Sequence, residues 1–496
     1  MGTRLWKAAV TAICSLPLVF GTIIADNNRR AVLPDAVCIQ ISKAISSASG
    51  VFHPGDPLYD KGIFHYAISS SQNATCVVEP GTPADVGKIL TILGRTRTPF
   101  AVKGGGHIAN QGFSSTTGVQ IAMFRFSEVN YHRASQTIDL GPGLIWDDVY
   151  AALQPFGVTA IGGRVTGVGV AGFTLGGGYS YKTNQFGLAV DNVISYQLVK
   201  PDGKVVEVTQ ASDPELFFGL KGGHNNFGIV TRFTVRAFPQ TQVWGGSIVS
   251  DASTVDALTA ATLAFQTNTD PKAAAIIGFS WDPTSSQLTA LAFLFYDAPT
   301  PPPGIFDGFL DIQPLSSDVG TRDYLNLIQS APLNATQGTR FAYNALPMLN
   351  FTPGISQLLV NETVFWGKAL ANKSEISVAY LAELFLPNIY SHNTDKTAYP
   401  PVRTIPFKPF MLDYNWASEE FDKDWHDAAV ASSAHIRNAA VAQGQTDVLR
   451  SPVYPNYALA GTPLKEMYGD NLPALRVLKA RVDPDNVMGL TGGWKF

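Results

Sequence analysis

Pro99-Phe100-Ala101-Val102-Lys103-Gly104-Gly105-Gly106-His107-Ile108-Ala109-Asn110-Gln111-Gly112-Phe113-Ser114-Ser115 is the stretch on which the reading of this chain turns. An apolar strand, Phe100 to Lys103, runs into three consecutive glycines. Glycines accept positive φ and leave backbone N–H groups uncovered, so the loop suits a pyrophosphate. His107 follows at once and sits beside whatever the phosphates carry. Taken alone, a GGGH turn is also an ordinary loop ending in an ordinary histidine. Upstream, Thr82-Pro83-Ala84-Asp85 opens a helix, with Thr82 as cap, Pro83 in the first turn and Asp85 near the positive dipole end. Val86, Ile89, Leu90 and Leu93 share one face of it, which completes a strand-helix-strand unit. Farther upstream, Asp35 to Ser49 is predicted helical from Val37, Ile41 and Ile45, Gly50 to Tyr66 reads as a loop, and a cofactor domain begins near Ile68.

Downstream, Val119 to Met123 and Thr137 to Leu140 read as strands, and a helix is expected from about Ile145 to Leu153. A second glycine tract then runs from Gly162 to Gly178 and includes Gly163-Arg164-Val165-Thr166-Gly167-Val168-Gly169-Val170-Ala171-Gly172 and Gly176-Gly177-Gly178. Its glycine content argues against a stable helix, at about 1 kcal/mol per glycine relative to alanine. Gly167 to Gly172 matches the dinucleotide pattern GxGxxG, with Asp191 at the expected distance, but no apolar strand precedes it and no long helix can follow. A nicotinamide cofactor is therefore a poor second reading. Val193 to Val199 and Lys204 to Thr209, joined by Pro201-Asp202-Gly203, form a hairpin, and Asp213-Pro214-Glu215 opens a short helix. A third loop, Lys221-Gly222-Gly223-His224-Asn225-Asn226-Phe227-Gly228-Ile229-Val230, feeds a strand reaching about Phe238. Three such loops can converge on one long cofactor.

The two glycine tracts with His107, and the tail from Ser451-Pro452-Val453-Tyr454-Pro455-Asn456-Tyr457 through Asp483-Pro484-Asp485-Asn486-Val487, resemble the berberine-bridge-enzyme-like branch of the vanillyl-alcohol oxidase superfamily. The resemblance implies an α+β, two-domain PCMH-type flavoprotein: a leader over 1–25, an FAD domain over 68–239, a substrate domain over 240–450 and a C-terminal segment, 451–496, returning to the FAD domain. It implies FAD bonded covalently through His107. Lys103, Gly104, Gly105, Gly106, Gly112, Gly167, Gly169, Gly172, Gly176, Gly177, Gly178, Asp191, Asn192, Gly228, Ile229 and Val230 are the expected cofactor contacts. Many relatives add a cysteinyl link in the second tract, where this chain has Val165, so a single link is expected. Lys103 replaces the commoner arginine, and Val168, small and placed over the flavin in relatives, is compatible with an oxidase. The resemblance also makes Tyr454-Pro455-Asn456-Tyr457 a strand beside the flavin ring. Tyr457 is the first candidate base and Tyr454 the second, with Asn456 orienting flavin or base; a buried aromatic with a satisfied hydroxyl is the plain alternative for each tyrosine. A phenol near pKa 10 would need its pKa depressed to serve as a base.

From Gln240 onward glycine thins out, and a broad sheet with helices on one side is expected to carry the substrate pocket. The predicted strands are Gly246 to Ser250, Ala275 to Trp281, Leu288 to Tyr296, Thr363 to Trp366 and Phe410 to Tyr414. The predicted helices lie near Thr254 to Phe265, Ser374 to Phe385 and Ser418 to Ala442.

The net charge of −4 over 496 residues, with no basic block, argues against a nucleic-acid partner and makes a small molecule the default. Arg4 and Lys7 precede an apolar run from Ala8 to Ala25, which reads as a secretory leader cleaved near Ala25 or as a membrane anchor, the second weakened by Pro17. Cys14 would leave with the leader, so Cys38 and Cys76 form one disulfide or stay as two buried thiols. Sequons at Asn73, Asn334, Asn350, Asn361 and Asn372 fit a secreted glycoprotein. The histidines show no metal-ligand spacing, and no GxSxG elbow offers a hydrolase nucleophile. The expected reaction passes a hydride from an alcohol or amine carbon of a small molecule to flavin N5, with O2 as acceptor giving H2O2. Secondary-metabolite oxidation leads, with an oligosaccharide oxidase or a flavin-carrying binding or cyclisation protein as alternatives. A monomer is the expected state.

Overall fold

Helix Pro83–Thr96 begins where its cap stands: Thr82 Oγ1 accepts the Asp85 N–H at 3.1 Å, and Pro83 occupies the first turn. In the computed structural model, which describes residues 34–331, 334 and 336–496, this helix connects two strands of a four-stranded sheet. The order is β1 (Gly50–Phe52), β2 (Cys76–Glu79), β4 (Val119–Ala122), β3 (Phe100–Lys103). β4 lies parallel between β2 and β3, as a helical crossover requires, and the glycine loop leaves the carboxyl end of β3. Cys38 of helix Pro34–Ala44 is joined to Cys76 of β2. The segment expected to be a plain loop, Gly50 to Tyr66, instead supplies β1 and a helix, Pro57–Ile63, capped by Asp56 on the Leu58 N–H. The expected leader and Cys14 lie outside the described residues.

A second sheet, ordered β5 (Val129–His132), β6 (Thr137–Leu140), β10 (Ile229–Arg236), β8 (Val193–Val199), β9 (Val205–Val208), contains the expected hairpin. β7 (Val158–Thr159) and β11 (Phe238–Pro239) form a separate short antiparallel pair. The second glycine tract is loop except for one short helix, Val170–Leu175, which corrects the expectation of no helix there. Gly176 to Gly178 end that helix rather than prevent it.

The third sheet is antiparallel and holds β12 (Val243–Asp251), β13 (Ala273–Asp282), β14 (Gln287–Tyr296), β15 (Ser316–Ser317), β16 (Gly320–Arg322), β17 (Arg340–Met348), β18 (Glu375–Glu383) and β19 (Lys408–Trp416). Helices Pro353–Ala369 and Asp422–Ala442 pack on one face, where Ile277, Phe279, Tyr380 and Leu412 meet Leu359, Trp425 and Ile436. Alternate positions face the other way, so one strand serves two environments. Two predicted elements are exchanged. Ser374 to Phe385, expected as a helix, is β18: a run buried on both faces has no clean period, and its β-branched and aromatic residues suit a strand. Thr363 to Trp366, expected as a strand, lies inside helix Pro353–Ala369, whose Thr352 cap and 17-residue length override local propensity.

The tail returns to the first sheets. Thr491 bridges Phe100, and Asn226 donates to the Trp494 carbonyl at 2.8 Å. Tyr454 to Tyr457 forms a turn, with the Tyr457 and Ala458 N–H groups on the Tyr454 carbonyl, and not the expected strand.

Candidate active site

The three glycine loops converge on one cavity, about 1900 Å³ of empty volume with its open mouth included. Gly104, Gly105 and Gly106 line it from the first loop, Gly169 and Gly172 from the second, and Gly228 from the third. The first two loops meet closely at two glycines: a Cβ on Gly105 would stand 2.6 Å from Gly169 Cα, and one on Gly169 would stand 2.5 Å from Gly105 N. Neither position has room for alanine. Gly106 has φ +73°, a left-handed conformation that turns the chain toward His107. At Gly172 the opposite holds, since a Cβ there would meet nothing within 4 Å. That side of the tract faces the cavity.

His107 lines the cavity with its imidazole stacked on Tyr66, ring centroids 4.1 Å apart. Its Nε2 is buried with no hydrogen-bond partner. A buried polar atom without a partner is costly, and the cost falls away when the atom bonds to something in the cavity. Burial also lowers the His107 pKa to about 4, so the imidazole is neutral and able to act as a nucleophile. Opposite, the Tyr457 hydroxyl donates to Glu383 Oε1 at 2.9 Å and accepts from Arg164 Nη2 at 2.7 Å. Arg164 also grips Glu383 through two parallel bonds of 2.7 and 2.8 Å, with both side chains buried. Burial pushes the Tyr457 phenol well above 10; Arg164 opposes the shift and Glu383 adds to it. The depression that a free phenolate base would need is absent, and the physical cause is desolvation. Tyr454 differs: its oxygen accepts from the Gly178 N–H at 3.1 Å and from Asn456 Nδ2 at 2.9 Å, and burial nonetheless raises it to about 12.

Residues 74–209 match the FAD-binding-domain family. The FAD-dependent monooxygenase drtC of Aspergillus calidoustus is 34% identical over 328 residues, covering 64% of this chain and 63% of that one. The chain thus spans less than two thirds of that relative's length. The FAD-dependent monooxygenase sdcF of Emericella nidulans is 28% identical over 486 residues, covering 94% and 99%. Physcomitrella patens BBE-like 1 shares the fold at a TM-score of 0.71 and 20% identity, with 92% and 97% covered. The chain carries an FAD-binding domain within a fold shared with BBE-like 1. The residues present fit the flavin that such a domain binds: a glycine cradle for phosphates, one open glycine face and an unpaired imidazole nitrogen meet in one cavity.

In this flavoprotein the expected contacts divide. Gly104, Gly105, Gly106, His107, Gly169, Gly172, Gly228, Ile229, Val230, Tyr454, Asn456 and Tyr457 line the cavity. The others stand behind it. Lys103 turns its ammonium to the Lys61 carbonyl at 3.0 Å and over the Phe124 ring, and burial lowers its pKa to about 7. Gly112 hydrogen-bonds to Ser115 Oγ, and Gly167 N donates to Asp147 at 3.0 Å. Gly176 packs on Asn456, Gly177 on Tyr399 and Gly178 on Phe173 and Ala189. The Asp191 carboxylate is held by Arg403 and Asn393, and Asn192 donates to the Phe186 and Leu188 carbonyls, so both brace a loop. Arg164, Glu383 and His224, whose buried Nε2 is also unpaired, were not singled out by the sequence pattern. A lone arginine among glycines and a lone carboxylate closing an apolar run were the available signals. The second could be used only once β18 was known to be a strand, which puts Leu381 and Glu383 on one face.

Proposed function

We propose that this flavoprotein is a secreted oxidase of small organic molecules, acting on an alcohol or amine carbon, with secondary metabolites as substrates. The observation that carries the reading is the Tyr457 hydroxyl, held between Arg164 and Glu383 on the wall of the cavity that His107 also lines. FAD, when bound, supplies a two-electron acceptor for the substrate's hydride and passes the electrons to O2, so that overall an alcohol and O2 give the corresponding carbonyl compound and H2O2. His107 forms the single covalent link, since its imidazole is neutral, unpaired and in the cavity, and Val165 offers no thiol. The protein's part in the proton transfer is a relay. Tyr457 accepts the substrate's hydroxyl proton as its own proton passes along the 2.9 Å hydrogen bond to Glu383, which avoids any free phenolate. Arg164 fixes both partners and stabilises the charge while it moves. The Cys38–Cys76 disulfide supports an oxidising compartment. Among the described residues no helix is long and apolar enough to cross a membrane.

Acid precipitation tests the link. Flavin absorbance stays in the wild-type pellet and passes to the supernatant in His107→Ala. Anaerobic bleaching by substrate, followed by H2O2 release on aeration, tests the oxidase reading; binding without bleaching would overturn it.

A further inference from the structure

The third sheet presents the cavity with two cross-strand rows whose composition is unusually one-sided. In the first, register aligns Phe293 of β14, Ile276 of β13 and Glu383 of β18. In the second it aligns Leu291, Gly278, Leu381 and Met411 across β14, β13, β18 and β19. Phe293, Ile276, Leu291, Leu381 and Met411 all line the cavity, and Glu383 is the one polar side chain in either row. Its charge is already cancelled. Both carboxylate oxygens are taken by Arg164, and one also by Tyr457.

This wall restricts what can lie on it. A sugar carries a hydroxyl on most of its carbons, and against five apolar side chains those groups lose water without gaining partners. Among the described lining residues a charged substrate finds no free carboxylate or guanidinium, because Arg164 and Glu383 satisfy each other. A flat ring system that buries apolar area and carries one hydroxyl loses nothing: the ring covers the aliphatic rows and the hydroxyl meets Tyr457 at the edge of the first row. We infer that the sheet wall formed by Ile276, Leu291, Phe293, Leu381 and Met411 selects neutral aromatic alcohols with a single reacting hydroxyl, and rejects saccharides and ionic substrates. The inference rests on the oxidase reading for its turnover, but not for its binding.

The test titrates flavin-loaded protein without oxygen against 2-naphthalenemethanol and against cellobiose, following flavin absorbance. Half-saturation with the naphthalene alcohol at a concentration at least about tenfold lower than with cellobiose is expected, a discrimination within reach of an apolar pocket. Equal or tighter binding of cellobiose, or no response to either compound, overturns the inference. A spectral shift with the naphthalene alcohol but no bleaching and no H2O2 on aeration upholds the selectivity and sinks the oxidase reading. Bleaching by cellobiose alone does the reverse. Leu381→Asn and, separately, Leu291→Asn should each weaken the naphthalene alcohol about tenfold while flavin content is retained. Unchanged half-saturation in both, with flavin loaded, also overturns it.

Discussion

Tyr457 shows how far a side chain's chemistry depends on what touches it. Alone it is a poor base; between Arg164 and Glu383 its hydroxyl already has a donor on one side and an acceptor on the other. Tyr457→Phe should leave flavin content unchanged and slow anaerobic flavin reduction roughly 10²- to 10³-fold, read by stopped-flow absorbance. Full speed would remove the relay. Another buried acid gives a pH signature. Asp413 accepts a hydrogen bond from Asn415 at 2.8 Å, and burial raises its pKa to about 7. The unfolded chain releases this proton near pH 4, so between about 4 and 7 the folded state holds a proton that the unfolded state has lost, and stability falls as pH rises through that window. Asp413→Asn cannot ionise. Its melting temperature relative to wild type should therefore climb from pH 4 to 7 and level off above, and a flat difference would contradict the burial argument. His107 and Tyr457 were legible because each stands in a short, distinctive string. Glu383 was not, since a single carboxylate acquires meaning only from Arg164, 219 residues away.

At the scale of elements, the first two glycine loops act as one, because Gly105 and Gly169 meet backbone to backbone. Gly105→Ala and Gly169→Ala should each lower flavin content of purified protein severalfold, measured by the ratio of flavin to protein absorbance. Gly172→Ala, whose Cβ enters open space, tests a different effect: intrusion into the cavity without separation of the loops. The disulfide from helix Pro34–Ala44 to β2 closes a loop of 38 residues in sequence separation. Chain-entropy arithmetic gives roughly 4 kcal/mol for such a loop, so Cys38→Ser with Cys76→Ser should lower the melting temperature by several degrees. Elements with a cap and one clean face, such as helix Pro83–Thr96, could be read from sequence to within a residue or two. β18 and helix Pro353–Ala369 could not, because the first is buried on both faces and the second carries a strand-like quartet, Thr363-Val364-Phe365-Trp366. Pattern reports the environment of a segment, and these two have environments that imitate the other class.

For the molecule as a whole, the sequons sort by where their amides point. Asn73, Asn350, Asn361 and Asn372 are exposed. The Asn334 side chain is turned inward: Nδ2 donates to the Ile328 and Gln329 carbonyls, and Oδ1 accepts the Thr166 N–H of the second glycine tract. Peptide mapping of protein expressed through a secretory pathway should find no glycan at Asn334, and one there would show that this loop folds differently. The return of the tail has a further consequence for how the protein is made. Tyr454, Tyr457 and Trp494 line the cavity, yet they come from a segment far along the chain from the loops they face. Every glycine loop is translated more than two hundred residues before the tyrosines that complete the wall. The wall of the cofactor site therefore stays incomplete until Tyr454 and Tyr457 have been made, and colour in this protein doubles as a record that synthesis passed them.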